Sequence, residues 1–442
     1  MSTNSSDAGD SATPSAHTKL PRTVWLLSWV SFFADVSSEM VYPLLPLFMI
    51  SVVGASKTQL GAMEGGAVLL VSVMSAYAGF RSDRSRSAHG RTGWIRWGYG
   101  LPVLGKAVIA FATVWPMAIG GRLLDRFGKG LRGAPRDALI ADAVPAELRG
   151  RAFGLHRTLD TAGALLGVVL SACLLAWLIA SPDPNVQPPI APSGWVLRTI
   201  IGVGAVLGLV SWLLTFLVQE PTRLAESEAA IKGPSEASAV SAVPTSNPGL
   251  PDRRLPASYW AVIGLLVLFS LANSSDTFLL LKVSELGYSP VAVVVVYALF
   301  NVTYTLLSYP FGAMSDRQGR WCLIAAGWFI YSVVYVCLAF VHRENAWAVW
   351  PLMALYGVYM ALTDGVGKAL IADHAPRAQR GTCMGIYYAI TGATTFLASI
   401  VAGYAWDVSG SKLTLLIGAG LSMAALIVLG ILMRTKLMQS IQ

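Results

Sequence analysis

The side chains best placed to do chemistry lie in the stretch Gly120–Asp142, GGRLLDRFGKGLRGAPRDALIAD, which is surrounded by apolar sequence. Four cations recur there at helical spacing: Arg122, Arg126, Lys129 and Arg136. At about 100° per residue, these four share an arc of roughly 80°. Because a charge that faces lipid hydrocarbon is costly, this stripe must face a water-filled cavity or other protein.

Two carboxylates lie in an earlier apolar stretch and are candidates for proton exchange. Asp35 and Glu39 are four residues apart and therefore share one face of a helix. Asp35 lies about 12 residues into this stretch, or roughly 18 Å along a helix, which is close to the membrane midplane. We interpret the pair as a proton-coupling or cation-recognition site; the alternative is a permanent salt bridge to the cationic stripe.

Arg126 is the cation that we expect to act with these carboxylates. Its guanidinium is always charged and needs an anionic partner at this depth. A substrate that displaces such a pairing would free the carboxylate to take up a proton, which links the two events. We predict Asp35, Glu39, Arg126 and Asp160 as the proton-coupling residues; the alternative is a purely structural network.

Further polar side chains inside apolar stretches are candidates for substrate contact. The predicted substrate-binding residues are Asp35, Tyr42, Lys106, Arg126, Lys129, His156, Arg157, Asn273, Asp276, Asn301, Tyr304 and Asp364. Arg157 and Asp160 at i, i+3 could simply pair with each other, and so could Asp364 and Lys368 at i, i+4. Most of the charge lies in the first half of the chain, so the second half is expected to contribute mainly to the shape of the cavity.

The composition indicates a membrane protein that crosses the bilayer many times. Of 442 residues, 55% are hydrophobic and 13% are charged, whereas soluble domains have about 25% charged residues. The net charge of +8 comes from cations in loops, so it does not indicate nucleic-acid binding. The four cysteines form no CxxC or Cys/His cluster, so we expect neither disulfides nor a metal site.

The elements that must position these residues are apolar runs long enough to span a bilayer at roughly 20 residues each. The predicted spans are 23–50, 58–80, 94–115, 116–141, 151–179, 195–219, 258–282, 290–315, 321–341, 347–372, 382–406 and 412–433. This is an all-α membrane protein with two six-helix bundles, 23–219 and 258–433. Residues 1–22 and 434–442 are predicted as cytoplasmic tails, the first of them disordered, and 220–257 as a cytoplasmic linker.

Lys and Arg residues concentrate in alternate loops, in the linker and in the C-terminal tail. By the positive-inside rule this places both termini in the cytoplasm.

The two halves of the sequence repeat each other at an offset of about 230 residues. SDR at 82–84 returns at 315–317, ALIAD at 138–142 returns at 369–373, and the Arg-Gly pair at 149–150 returns at 380–381. The repeats have the same direction in the membrane, as in transporters built from two parallel halves.

Charged residues in the repeated loops are predicted to gate the protein. Ion pairs and helix dipoles at these helix ends could lock one conformation and release in the other. The predicted gating residues are Asp83, Arg84, Arg91, Asp316, Arg317 and Arg320. The alternative, a topology signal only, explains the arginines but not the repeated aspartate.

These motifs resemble those of the major facilitator superfamily. The loop motif G-x-x-x-D-R-x-G-R is met by Gly312, Asp316, Arg317, Gly319 and Arg320. In the first half Gly79, Asp83 and Arg84 fit, and the final Gly-Arg pair is displaced to Gly90 and Arg91. Arg126 and Gly130 are similar to the R-x-x-x-G motif of the fourth span, which implies a role in proton transfer. The runs FADVSSEMVYPLLPLF and RFGKGLRGAPRDALIAD resemble the bacterial efflux-type branch.

Together these features predict a secondary active transporter that exports a small organic molecule, drug-like and anionic or zwitterionic, in exchange for protons. The alternative is proton-coupled uptake of an organic acid or a metal chelate such as a siderophore. The sequence has no GxxxxGK[ST] loop, so we expect no cofactor and a proton gradient as the energy source. The sequence contains no nucleophile or metal-ligand constellation of the kind that would indicate an enzyme. The expected setting is the bacterial inner membrane, as a monomer whose partners are the substrate, protons and lipid.

Overall fold

The computed structural model describes residues 19–55, 57–84, 90–179, 193–220, 255–274, 276–288 and 290–433. The predicted C-terminal tail and nearly all of the predicted N-terminal tail and linker lie outside these residues. Within them the chain is helical, with no strand.

The first half of the described chain forms six spans. They are α1a (Arg22–Val41), α1b (Leu45–Ser51), α2 (Lys57–Asp83), α3 (Gly90–Phe111), α4 (Trp115–Asp142), α5 (Arg149–Ile179) and α6 (Gly194–Leu214). The first span is interrupted by the 3-10 turn Tyr42–Leu44, where Pro43 lacks the backbone N–H that a regular α-helix requires.

The second half also forms six spans. They are α7a (Ala257–Ala272), α7b (Thr277–Glu285), α8 (Pro290–Gln318), α9 (Arg320–Ala339), α10 (Val349–His374), and the helix Arg380–Met433. The last helix divides at Gly410, whose φ of 79° is in the left-handed region, into α11 (380–409) and α12 (411–433). The prediction of twelve membrane helices is confirmed.

One predicted span and one predicted connection differ from the structure. The seventh span is not continuous, because Asn273 leaves the helical region at φ −87° and ψ 80°. The residues around the break, Asn273, Ser274 and Asp276, are short and polar, a type that favours caps and turns over helix interiors. The third and fourth spans are joined by the three residues Ala112–Val114 and not by the Trp115–Pro116 step alone.

By length and hydropathy alone, six stretches of the described chain could cross a membrane. They are Arg22–Ser51, Ala146–Ile179, Gly194–Leu217, Arg320–Ala339, Arg343–His374 and Arg377–Met433. The last of these contains both α11 and α12. Five spans are not among these stretches: α2, α3, α4, α7 and α8. For two of them the reason is visible, because α4 carries many charges and α7a is only 16 residues long since α7 is broken. Charge and breaks thus occur in spans that line the cavity described below.

The two halves meet along two helix pairs, α2 with α11 and α5 with α8. Glycine permits the close approach in both pairs. A Cβ at Gly79 of α2 would overlap the backbone of Gly381 on α11, and a Cβ at Gly150 of α5 would overlap the backbone of Gly312 on α8. These four glycines lie at the same end of the molecule, here called the basic end, where α2, α4, α8 and α10 terminate.

Candidate functional site

Two connected cavities lie between the halves. The upper cavity has a volume of about 830 Å³ and is lined by α1, α2, α4, α7, α10 and α11. The lower cavity, of about 190 Å³, lies nearer the basic end and adds α5 to its walls. Val71, Ser75, Lys129 and Tyr388 line both cavities, so the two spaces meet at these side chains.

The predicted site residues divide between the two cavities. Those that line the upper cavity are Glu39, Tyr42, Arg126, Lys129, Asn273 and Asp276. Those that line the lower cavity are Asp35, Lys129, Arg157 and Asp160. The lower cavity also exposes Arg132, Arg136 and Lys368, so five cations and two carboxylates form its wall.

Three cations of the upper region converge on one carboxylate, Asp125. Its oxygens lie 2.8 Å from Arg126, 3.6 Å from Arg122 and 3.3 Å from Lys106. Lys106 was expected to meet an anion in the cavity. Instead it is buried behind the wall, because Asp125 and the Ser38 hydroxyl, at 3.3 Å each, hold its ammonium group there.

The lower wall of α4 is held by aromatic and polar neighbours. Arg132 lies 3.8 Å from Asp35 and stacks over the Tyr99 ring at 4.2 Å. Arg136 contacts Asp137 at 2.9 Å and donates to the Ser31 hydroxyl at 3.2 Å. The 3.8 Å separation makes the Asp35 pairing the loosest ion pair of this region.

Arg157 of α5 joins the two halves at the lower cavity. It contacts Asp160 of its own helix at 2.8 Å and Asp364 of α10 at 2.8 Å. It also donates to the Tyr304 hydroxyl on α8, which in turn donates to Asp364 at 2.5 Å. The expected pairing of Asp364 with Lys368 is present at 3.6 Å. A second bond between the halves runs from the Tyr388 hydroxyl on α11 to Asp137 on α4.

Lys129 differs from the other cations of α4. Within the described part of the chain, no carboxylate lies within 4 Å of its ammonium group and it forms no hydrogen bond. Its side chain is exposed on the cavity wall, at the junction of the two cavities.

Several predicted contact residues lie away from the cavity lining. His156 is buried and bonds through Nε2 to the Ser31 hydroxyl at 2.8 Å. Asn301 donates to the Tyr297 carbonyl of its own helix at 2.9 Å. Tyr304 and Asp364 stand behind Arg157. These side chains support the wall rather than form it.

The break in α7 adds polar groups to the upper cavity. Asp276, which follows the break, accepts a hydrogen bond from the Tyr356 hydroxyl at 2.6 Å. Asn273 Oδ1 is buried and has no hydrogen-bond partner among the described residues. In the same part of the chain, no cluster of three or more His, Cys, Asp or Glu side chains could hold a metal ion.

At the basic end, charged residues tie the halves together in a first lock, defined as Asp83, Arg91, Asp142 and Arg380. Asp83, at the end of α2, accepts hydrogen bonds from the backbone N–H groups of Gly381 and the next residue at 3.0 and 2.6 Å. Arg91 contacts Asp83 at 2.7 Å and also pairs with Asp142. Asp142 pairs in turn with Arg380 of α11.

The second lock repeats this arrangement with the halves exchanged and consists of Asp316, Arg320, Asp373 and Arg149. Asp316, at the end of α8, accepts from the N–H groups of Gly150 and the next residue at 2.7 and 2.9 Å. Arg320 contacts Asp316 at 2.6 Å and Asp373 at 2.7 Å. Asp373 also pairs with Arg149 of α5 at 2.6 Å.

Two predicted gating residues take no part in these locks. Arg84 and Arg317 are exposed, and Arg84 stacks on the Phe80 ring at 3.7 Å. Each follows its aspartate directly in the chain, and its side chain lies on the surface instead of at the contact between the halves. Sequence reasoning missed the lock roles of Arg149 and Arg380, although the repeated Arg-Gly pair marked both positions.

Because both locks and the glycine contacts close the basic end, the cavities can open only toward the opposite end. The upper lining residues agree with this, since they come from the ends of α1a and α7a and the start of α4, which lie away from the locks.

Comparison with known proteins gives the family. The family model described as Major Facilitator Superfamily matches residues 27–362 and 281–439. An uncharacterized MFS-type transporter of Methanocaldococcus jannaschii is 30% identical over 410 residues, which cover 91% of this chain and 93% of the relative. Multidrug resistance protein MdtH of Cronobacter sakazakii is 25% identical over 359 residues, 78% of this chain and 77% of the relative.

Among solved structures, the transporter FucP in the outward conformation aligns with a TM-score of 0.69 at 15% identity, over 94% of this chain and 99% of its own. This likeness shows the fold. Together with the family match, it shows that the chain belongs to the major facilitator superfamily of membrane transporters.

Proposed function

We propose that this transporter exports a small organic anion or zwitterion in exchange for protons. The observation that carries the proposal is the cavity between the halves, which combines intramembrane carboxylates with a cationic wall and is closed at the basic end. The positive-inside rule assigns the basic end to the cytoplasm. The structure then corresponds to an outward-open state.

The loose pairing of Asp35 suggests how proton and substrate are linked. At 3.8 Å from Arg132, the Asp35 carboxylate can exchange this partner for a proton at modest cost. With Asp35 ionised, the cationic group of a zwitterionic substrate pairs with this carboxylate while its anionic group binds the neighbouring cations. Protonation of Asp35 from outside removes the first contact and releases the substrate, so the site holds either the proton or the substrate, as exchange requires.

Alternating access follows from the two locks. Opening the cytoplasmic side requires both locks to break while the opposite ends of the helices close over the upper cavity. The similarity to multidrug resistance protein MdtH supports export as the direction.

Proton movement in energised inside-out vesicles tests this function. We expect at least one compound in a panel of drugs, organic acids and chelates to drive protons out of the lumen, as reported by a fluorescent pH probe. Asp35→Asn and Arg126→Ala should each abolish this response. Asp407→Asn is the matched control, because Asp407 is exposed on α11 and lines neither cavity.

Normal proton movement in Asp35→Asn would contradict the coupling role. If no compound moves protons outward, and labelled organic acids or chelates instead enter whole cells with protons, the protein is an importer.

A further inference from the structure

The lower cavity carries an excess of positive charge. Its wall contains Lys129, Arg132, Arg136, Arg157 and Lys368. The carboxylates that line it or pair with these cations are Asp35, Asp160, Asp137 and Asp364. The lining itself holds five cations and only two carboxylates, Asp35 and Asp160, so the wall of this cavity is positive.

Lys129 is the cation of this group that forms no close ion pair. Arg132, Arg136, Arg157 and Lys368 each lie within 4 Å of a carboxylate, whereas Lys129 does not within the described residues. Asp35 and Glu39 attract its ammonium group only from beyond 4 Å, and a charge at membrane depth that lacks a close partner is costly. A bound anion would remove this cost, so the arrangement favours an anionic ligand at the junction of the two cavities.

Cavity size limits what part of a ligand can enter. Drug-sized molecules occupy pockets of about 300–1,000 Å³, but the lower cavity has about 190 Å³. It therefore admits only a compact group. The adjoining wall of the upper cavity is partly apolar, with Val68, Val71, Met360 and Phe396, and its volume suits a larger body.

We propose that the lower cavity is a subsite for a compact anionic head group, a carboxylate or phosphonate, on a substrate whose apolar body occupies the upper cavity. This rests on the proposed function and defines its substrate class as amphipathic organic anions. Lys129 at the junction and Lys368 on the opposite wall bind the head group.

Arg157 connects occupancy of this subsite to the contact between the halves. Its guanidinium lines the lower cavity and also bonds to Asp364 across the interface. A bound anion competes with Asp364 for the same N–H groups. Binding thus weakens the Arg157–Asp364 bond between the halves. This bond lies beside the lower cavity, toward the basic end, which must open for transport.

Equilibrium binding to the purified full-length chain in detergent tests the proposal without any proton gradient. The probes are 4-phenylbutyrate and 3-phenylpropylphosphonate, with 4-phenylbutyramide and 4-phenylbutylammonium as uncharged and cationic matches. We expect the two anions to raise the thermal unfolding temperature in a saturable way. The amide and the amine should bind about tenfold more weakly or not at all, because a charge-assisted hydrogen bond is lost.

Three variants locate the site. Lys129→Gln and Lys368→Gln should each weaken binding of the anions by about tenfold. Lys282→Gln should leave it unchanged, because Lys282 is buried like Lys368 but bonds to Ser411, away from both cavities.

Equal binding of acid and amide, absence of binding by both anions, or full affinity in the Lys129 and Lys368 variants would overturn the proposal. Anion binding without proton movement in the vesicle assay would instead reject proton-coupled export and leave the anion subsite standing.

Discussion

Asp125 shows how the cationic face of α4 is stabilised at the scale of single residues. Its carboxylate forms ion pairs with Arg122, Arg126 and Lys106 at the same time, and Asp125 is only 3% exposed. Mutual repulsion among three cations in a low-dielectric setting requires this central anion. Arg126 is therefore positioned by its own sequence neighbour.

Replacing Asp125 by Asn should destabilise the protein strongly. The change leaves the buried Lys106 without its carboxylate, and breaking a buried ion pair in this way costs about 3–5 kcal/mol. The free energy of unfolding in mixed micelles measures the effect.

Asp407→Asn is again the matched control and should be nearly neutral, because the Asp407 side chain is exposed. A loss below about 1 kcal/mol for Asp125→Asn would show that water or another group solvates the three cations.

The sequence indicated which residues face inward but not which of them pair. Helical spacing was enough to place Arg126 and Lys129 on the cavity wall, because that depends only on one helix. The partners of Arg157 lie on α8 and α10, and a single helix carries no information about their distance. For the same reason the burial of Lys106 behind the wall was not predicted.

At the scale of elements, the helix pairs at the basic end depend on residues with no side chain. In α5 a Cβ at Gly150 would overlap the backbone of Gly312 and the hydroxyl of Ser315. The backbone N–H of Gly150 also bonds to Asp316, so close approach and the second lock use the same residue.

Gly150→Ala should therefore separate α5 from α8 and open the basic end. Spin labels at the exposed positions Arg84 and Arg317, one in each half, should move apart in a double electron–electron resonance measurement. Gly202→Ala on α6 is the control, since nothing lies within 4 Å of a Cβ there.

An unchanged label distance in Gly150→Ala would mean that the helices tolerate the methyl group by a local shift. The close contact would then not control closure of this end.

Helix positions followed from hydropathy to within a few residues, because each span must cover the same bilayer thickness. The break in α7 did not, because residues 258–282 remain apolar enough to be read as one span. Its cause is local, because Asn273 leaves the helical φ and ψ region, and one such residue hardly changes the hydropathy of the whole run. The outcome is an interruption that places Asp276 on the cavity wall.

At the scale of the whole molecule, two locks hold one end closed. Each combines a capped helix start with a chain of ion pairs that crosses once from one half to the other. Hydrogen bonds to charged groups contribute about 1.5–3 kcal/mol each. Two such locks can therefore set the balance between states that are closed and open at the basic end.

Replacing the two helix-capping aspartates, Asp83 and Asp316, should shift the protein away from the state in which the basic end is closed. The measurement is the rate at which a thiol reagent added from outside labels Ser399→Cys, a position that lines the upper cavity. Asp83→Asn and Asp316→Asn should each lower this rate by up to about tenfold. The double variant should reduce it further than either single change.

The labelling requires a background without the native cysteines, since Cys173, Cys322 and Cys337 are exposed. Unchanged labelling in the double variant would show that other contacts hold the basic end closed.

The two locks are reciprocal: the first half caps a helix of the second, and the second half caps the equivalent helix of the first. Each half thus carries both a capping aspartate and a helix start whose N–H groups are capped by the other half. Two copies of one half, placed side by side in the same direction, would satisfy every cap and ion pair of this kind. A shorter ancestor, with six spans and working as a dimer of identical chains, would already have possessed a gate that closes, before gene duplication and fusion joined the copies into one chain.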